Sequence, residues 1–246
     1  MAEQTPPQIE VTVAAPPEAV WPALRDPALI RRWHGWQFEG DAGSGGGLDE
    51  EVRVIYTTGV TEDTATRVLT LADGDQFSLH PVAGGTVVRV TRAPRGGNPD
   101  WDAYYDDITE GWWTFLQQLR FAIERHDLAE RRTLVLEGQL TGAVSPVDAL
   151  GLAQVAAQPP GSPYRAVLDG EELRGSVWAR APRQLVLTVD GFGDGLLVLA
   201  EQPPNPDRPD GGAMLLLTAY GLDDRDFQAV RDRWSGWWAA RSGPRS

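Results

Sequence analysis

The amino-acid sequence predicts an α+β chain that runs twice through one order of elements: a strand, short helices, several strands and a long closing helix. Three observations predict it. Short alternating apolar–polar segments are divided by Gly-, Pro- and Asp-rich turns, the pattern of half-buried antiparallel strands. Each half ends on a stretch whose apolar residues recur every three or four positions, the period of an amphipathic helix. The first strands of the two halves start near Ile9 and Leu134, and Gly111-Trp112-Trp113 recurs as Gly236-Trp237-Trp238 at that same offset.

In chain order, Ile9–Val13 alternates as a strand and stops at Pro16-Pro17. A helix starts at Pro17, where a proline at the first helical position costs least, and places Val20, Trp21 and Leu24 at helical spacing. A second short helix is expected over Pro27–Trp33, and Gly43–Gly47 is expected to be a loop. Strands are expected at Val52–Tyr56 and Ala65–Leu71, a hairpin turn at Asp73-Gly74-Asp75, and strands again at Gln76–Val82 and Thr86–Thr91. Asn98-Pro99 opens the clearest helix, which keeps Tyr105, Ile108, Trp112, Phe115, Leu119 and Ile123 on one stripe to His126. Aspartates crowd its start and Arg120 and Arg125 lie near its end, the order the helix dipole favours.

The second half gives a strand at Thr133–Leu140, a helix over Pro146–Ala156 and a Pro/Gly break at Gln158–Pro163. Strands follow at Arg165–Leu168, Glu172–Trp178, Gln184–Val189, Gly195–Ala200 and Ala213–Tyr220. A helix over Asp223–Arg241, carrying Phe227, Val230, Trp234, Trp237 and Trp238 on one stripe, closes it. The expected domains are 1–128 and 129–246.

Composition excludes several chemistries. The chain has 246 residues and a formal charge of -13, against non-specific nucleic-acid binding. It has no cysteine, so thiolate nucleophiles, thiolate metal sites and disulfides are excluded. All 22 basic residues are arginine, which removes Schiff-base chemistry and the P-loop lysine. Gly43–Gly47 completes neither a dinucleotide fingerprint nor a P-loop. The three histidines share no metal-type spacing, so no metal and no cofactor are expected. No segment reads as a membrane span and the start reads as no secretory signal, so a soluble, cytoplasmic, bacterial protein is expected.

Ile9–Val13, Pro16-Pro17-Glu18-Ala19-Val20-Trp21-Pro22-Ala23-Leu24 and Ile30-Arg31-Arg32-Trp33 resemble the opening of the START-like (SRPBCC) superfamily. Gly84-Gly85-Thr86, and the run from Tyr104 through Gly111-Trp112-Trp113 to Leu119, are similar to the branch related to the ATPase activator of the ninety-kilodalton heat-shock chaperone. The resemblance covers residues 5–128, and residues 132–242 match in element order and in the aromatic end helix. It implies tandem helix-grip domains, each a curved antiparallel sheet around a long C-terminal helix. It also implies an apolar cavity between helix and sheet.

Ten tryptophans are the unusual abundance. Trp33, Trp36, Trp101, Tyr104, Tyr105, Trp112 and Trp113 are either a ligand-lining aromatic set or ordinary core. Trp112 and Trp113, adjacent on a helix, point about 100° apart and cannot share one narrow face. His80, on a strand face with Gln76 and Ser78, is either an acid–base group or a hydrogen-bonded structural histidine. His34, beside Trp33 in a loop-like stretch, is a candidate for a cavity mouth. The acidic cluster from Asp100 to Glu110 is explained by helix stabilisation without a cation.

The expected ligand-binding residues are Trp33, Trp36, Phe77, His80, Trp101, Tyr105 and Trp112, with no catalytic residue. The expected function is binding of a small apolar or aromatic molecule in the first domain. The alternatives are a polyketide aromatase/cyclase-like enzyme and a co-chaperone or protein-interaction module with a protein partner. No nucleic-acid partner is expected.

Overall fold

A computed structural model describes residues 7–37, 47–96, 99–142, 144–168 and 171–243, apart from the side chains of Asp100, Trp101 and Glu171. The chain forms two compact units, Met1–Ala129 and Glu130–Ser246. Each is α+β and has the helix-grip layout of one antiparallel sheet with a long C-terminal helix.

In the first unit, β1 (Gln8–Val13) leads into α1 (Pro17–Ala23), α2 (Pro27–Ile30) and α3 (Leu48–Thr57). Then come β2 (Thr61–Asp63), β3 (Val68–Thr70), β4 (Gln76–Val82), β5 (Gly85–Thr91), α4 (Pro99–Ala103) and α5 (Tyr105–His126). The sheet order is β1-β5-β4-β3-β2, so the first strand pairs with the last and the others follow as a meander. Val11 lies opposite Val88 and Phe77 opposite Val90 in antiparallel register. Trp112, Leu116, Leu119 and Ala122 of α5 join the strand residues and Val20, Leu24 and Trp33 in a single apolar core.

The second unit repeats this winding with one more strand. Its elements are β6 (Arg131–Gly138), α6 (Pro146–Ala149), α7 (Ala153–Ala156), β7 (Pro163–Leu168) and β8 (Glu171–Ala181). They continue with β9 (Gln184–Val189), β10 (Gly195–Gln202), β11 (Gly212–Tyr220) and α8 (Asp224–Ala239). The order β6-β11-β10-β9-β8-β7 again pairs first strand with last. Its core, from Leu134 to Trp238, shares no residue with that of the first unit.

Four expectations are corrected. Val52–Tyr56, expected as a strand, lies within helix α3. Its buried residues Leu48, Val52 and Tyr56 step by four, and Asp49, Glu50 and Glu51 occupy its first turn, where the helix dipole favours acids. Ala65–Leu71 is not one strand: Asp63 Oδ1 accepts from the Ala65 and Thr66 amides and turns the chain between β2 and β3. The helix expected to run unbroken to His126 is divided at Tyr104, whose φ of -106° and ψ of 8° are not helical. The helix expected over Pro146–Ala156 is divided by Gly151 at φ +67°, a left-handed conformation that glycine adopts without strain. The loop glycines Gly43 to Gly46, and Asn98, expected to open the long helix, lie outside the described residues. No helix among the described residues is long and apolar enough to cross a membrane.

Candidate functional site

The most concentrated chemistry of the first unit gathers where the turn after α2 meets α3 and α5. The Trp33 and His34 amides bond to Ile30 O at 3.0 and 2.8 Å, and Gly35 turns the chain away at φ +58°. A Cβ on Gly35 would stand 3.0 Å from Leu48 Cδ1, so the turn packs directly on α3. Trp33 is anchored beneath α1 by donating its indole N–H to Ala23 O at 2.8 Å.

His34, expected near a cavity mouth, is instead 1% exposed. Both ring nitrogens meet side chains of α3: Nδ1 lies 2.9 Å from the Tyr56 hydroxyl and Nε2 lies 3.3 Å from Glu51 Oε1. An ionised carboxylate only accepts, which puts the proton on Nε2 and makes Tyr56 O–H the donor to Nδ1. Glu51 remains a third exposed, so the line Glu51–His34–Tyr56 runs from solvent into the core. Burial pushes the Tyr56 phenol well above its usual range, and the negative charges of Glu51 and Asp73 add to this.

Aromatic rings surround this line. His34 lies 4.4 Å from Phe115 and 5.1 Å from Tyr56 between ring centroids. Tyr56 meets Trp33 and Phe77 at 5.9 and 6.2 Å, and Phe77 meets Trp112 edge-on at 5.2 Å. At the margin, half-buried Trp36 meets half-buried Phe115 at 6.0 Å.

Trp112 ties these rings to a second buried cluster. Its indole N–H donates to Asp75 Oδ2 at 2.8 Å. Asp75 pairs with Arg92 Nε at 2.8 Å, the two side chains being 1% and 4% exposed. Arg92 also donates to Tyr105 O at 3.1 Å and Thr109 Oγ1 at 2.6 Å, and its guanidinium lies 4.2 Å above the Tyr105 ring. Both carboxylate oxygens and the guanidinium Nε and Nη1 are engaged, which offsets the cost of burying the charge pair.

Of the residues expected to bind ligand, Trp33, Trp36, Phe77 and Trp112 come together in the ring set. Tyr105 belongs to the Arg92 cluster, where its hydroxyl donates to Ala93 O at 2.8 Å. His80 is half-buried on β4 and pairs with Ser78 Oγ at 2.9 Å, two residues away on the same face. Trp101 lies in α4, and its side chain is outside the described residues. Sequence reasoning missed Tyr56, Glu51 and Phe115 as members of the set. The four-residue steps Leu48, Val52, Tyr56 were the signal, because a helix there turns Glu51 and Tyr56 to either side of its buried face.

No family model matches the chain, and no curated protein does. Among solved structures, the chain is similar to DynU16, a protein of the dynemicin biosynthetic locus, with 18% identity over 95% of this chain and 94% of that one, at a TM-score of 0.32. It is similar to the di-domain ARO/CYC BexL from the BE-7585A biosynthetic pathway, with 14% identity over 98% and 99% of the two chains and a TM-score of 0.37. It is also similar to the Aha1 dimer from Colwellia psychrerythraea, with 9% identity, 46% of this chain, 92% of that one and a TM-score of 0.31. The helix-grip assignment rests on the strand order and closing helix of each unit described above.

Proposed function

We propose that the chain is a small-molecule-binding protein whose first unit takes an apolar or aromatic ligand against the Trp33–Trp36–Phe77–Trp112 rings, without catalysis. The observation that supports this reading is the buried His34–Tyr56 pair at the centre of those rings. Ligand sites combine apolar and aromatic walls with a few converging polar groups, and this is that combination. In the structure the rings touch one another, so a ligand enters by parting the half-buried Trp36–Phe115 contact. Ring faces then supply apolar area, and the Tyr56 hydroxyl supplies direction by turning from His34 to a ligand acceptor.

Native mass spectrometry of gently purified protein tests this first. A stoichiometric small molecule is expected. With an aromatic ketone as ligand, Tyr56→Phe is expected to weaken binding about tenfold, the worth of one directional hydrogen bond. The same substitution should leave the affinity of the parent hydrocarbon unchanged. Bare protein from several expression hosts, together with no thermal shift from a panel of polycyclic ketones, overturns the reading.

A second reading is favoured by the Glu51–His34–Tyr56 line itself. A base oriented by a carboxylate and bonded to a hydroxyl is an arrangement through which a proton can be relayed to and from that hydroxyl. On this reading the first unit is an aromatase/cyclase-like enzyme, Tyr56 exchanges protons with a poly-β-ketone chain, and His34 restores its protonation state. Turnover of such a chain, abolished in Tyr56→Phe and reduced in Glu51→Gln, selects this reading. Binding without turnover selects the first.

A further inference from the structure

The second unit contains a cleft of about 610 Å3, within the roughly 300–1,000 Å3 of small-molecule sites. It opens between α6 and α7 on one side and the ends of β8, β9 and β10 on the other. Among the described residues, none of α8 lines it, so it is separate from the space between sheet and closing helix. Leu185 and Leu199, 2% and 1% exposed and opposite one another in the β9–β10 register, lie closed beneath the cleft, whose accessible apolar surface starts at half-buried Ala181. Val147 and Ala156 continue that apolar surface onto the two short helices.

The charged groups of the lining are Arg180, Arg183, Asp148 and Glu201. Arg180 reaches across from β8 and donates one N–H to Ala156 O at 3.2 Å, which leaves the rest of its fork for a ligand. Arg183 sits in the β8–β9 turn, and its carbonyl accepts from the Glu201 amide at 2.8 Å. Among the described residues, no carboxylate pairs with either guanidinium. Asp148 is engaged: its carboxylate accepts from Ser145 Oγ at 2.9 Å, and its amide donates to the same oxygen at 3.0 Å. With two arginines against two acids the lining is formally neutral. One added negative charge fits the arginines, whereas a doubly charged group meets Asp148 and Glu201 unfavourably.

We propose that this cleft is a second ligand site, for an amphipathic monocarboxylate whose apolar body lies on Ala181, Val147 and Ala156 and whose carboxylate is held by Arg180 and Arg183. Planar guanidinium forks match a carboxylate in geometry and form charge-assisted hydrogen bonds with it. This site is independent of the first-unit reading.

Isothermal titration calorimetry of the full chain with decanoate, decan-1-ol and decyl phosphate tests it. At pH 8 decanoate is expected to bind at least about tenfold more tightly than either comparator, because decan-1-ol is uncharged and decyl phosphate is there almost wholly doubly charged. Arg183→Gln is expected to weaken decanoate about tenfold and to leave decan-1-ol unchanged. Arg183 donates no side-chain hydrogen bond within the described protein, so the variant should melt as the parent does. Arg180→Gln should act in the same direction, and Arg183→Gln remains decisive because Arg180 also bonds to α7. The proposal is overturned by absence of decanoate binding below its aggregation threshold, by equal affinity for decanoate and decan-1-ol, or by tighter binding of decyl phosphate. Decanoate affinity that Arg183→Gln leaves unchanged also overturns it and places the binding elsewhere.

Discussion

Trp112 is at once a packed ring of the first unit and a hydrogen-bond donor to a buried carboxylate. Trp112→Ala is expected to cost about 3–5 kcal/mol by urea melt, the range for a large aromatic removed from a filled core. Trp112→Phe keeps most of the packing but leaves Asp75 Oδ2 short of a donor, at about 1–3 kcal/mol. Arg92→Met is expected to cost about 3–5 kcal/mol, since it strands the Asp75 charge where water does not reach. The phenols set the behaviour in alkali. Burial raises Tyr56 and Tyr164 and pushes Tyr220 up to about 12. The folded state therefore holds protons that the unfolded chain releases near pH 10. Stability contributed by these groups is complete below about pH 10 and falls as pH rises. Arg131, the cross-strand neighbour of Tyr220, is lowered by burial to about 10 and acts with the opposite sign, so Tyr56 and Tyr164 carry the net fall. Unfolding free energy measured at pH 9 and pH 11 should decrease, and Tyr164→Phe should make the decrease smaller.

Helix α3 shows how an element creates a site. Read as a strand, Val52–Tyr56 would send Val54 and Tyr56 to the same face. As a helix it leaves Val54 48% exposed and buries Tyr56 beside His34. The local signals competed: β-branched Val52, Val54 and Ile55 favour a strand, and the four-residue spacing with an acidic first turn favours a helix. Packing against α2 and the Trp33 turn decided, which neighbouring residues alone do not reveal. Backbone crossings give a sharper test. A Cβ on Gly85 would stand 2.1 Å from Val13 O, across the β1–β5 ladder that closes the first sheet. Gly85→Ala is expected to cost about 3 kcal/mol, the upper part of the range for overpacking. Gly151→Ala meets no atom within 4 Å and is expected to cost only the strain of its positive φ, about 1–2 kcal/mol. Thermal melts of the two variants should rank in that order.

At the scale of the whole molecule, the two units wind their chains alike and hold separate cores. The repeated Gly-Trp-Trp falls in both closing helices, and Trp112 and Trp237 are each 4% exposed. The shared motif thus places a buried indole in each closing helix. Because neither core borrows a residue from the other, fragments 1–129 and 130–246 are each expected to unfold cooperatively in urea. A non-cooperative melt of either fragment would show that its core is incomplete alone.

The α+β class, the twofold order of elements and nearly every strand of both sheets were legible because they rest on local patterns. Alternation of apolar side chains marks β1 and β5, whereas β9, β10 and β11 read from continuous apolar runs bounded by turn residues and are buried along nearly their whole length. So were Trp33, Trp36, Phe77 and Trp112 as an aromatic set, since size and apolarity belong to the residues themselves. Tertiary structure alone decided that α3 is a helix and that His34 is buried between Glu51 and Tyr56. It alone placed Tyr105 with Arg92, and it alone opened a cleft between α6, α7 and the ends of β8–β10. These facts depend on contacts between residues tens of positions apart. The free energy of burying a histidine or pairing an arginine is set by what those distant residues place around it, not by its neighbours in the chain.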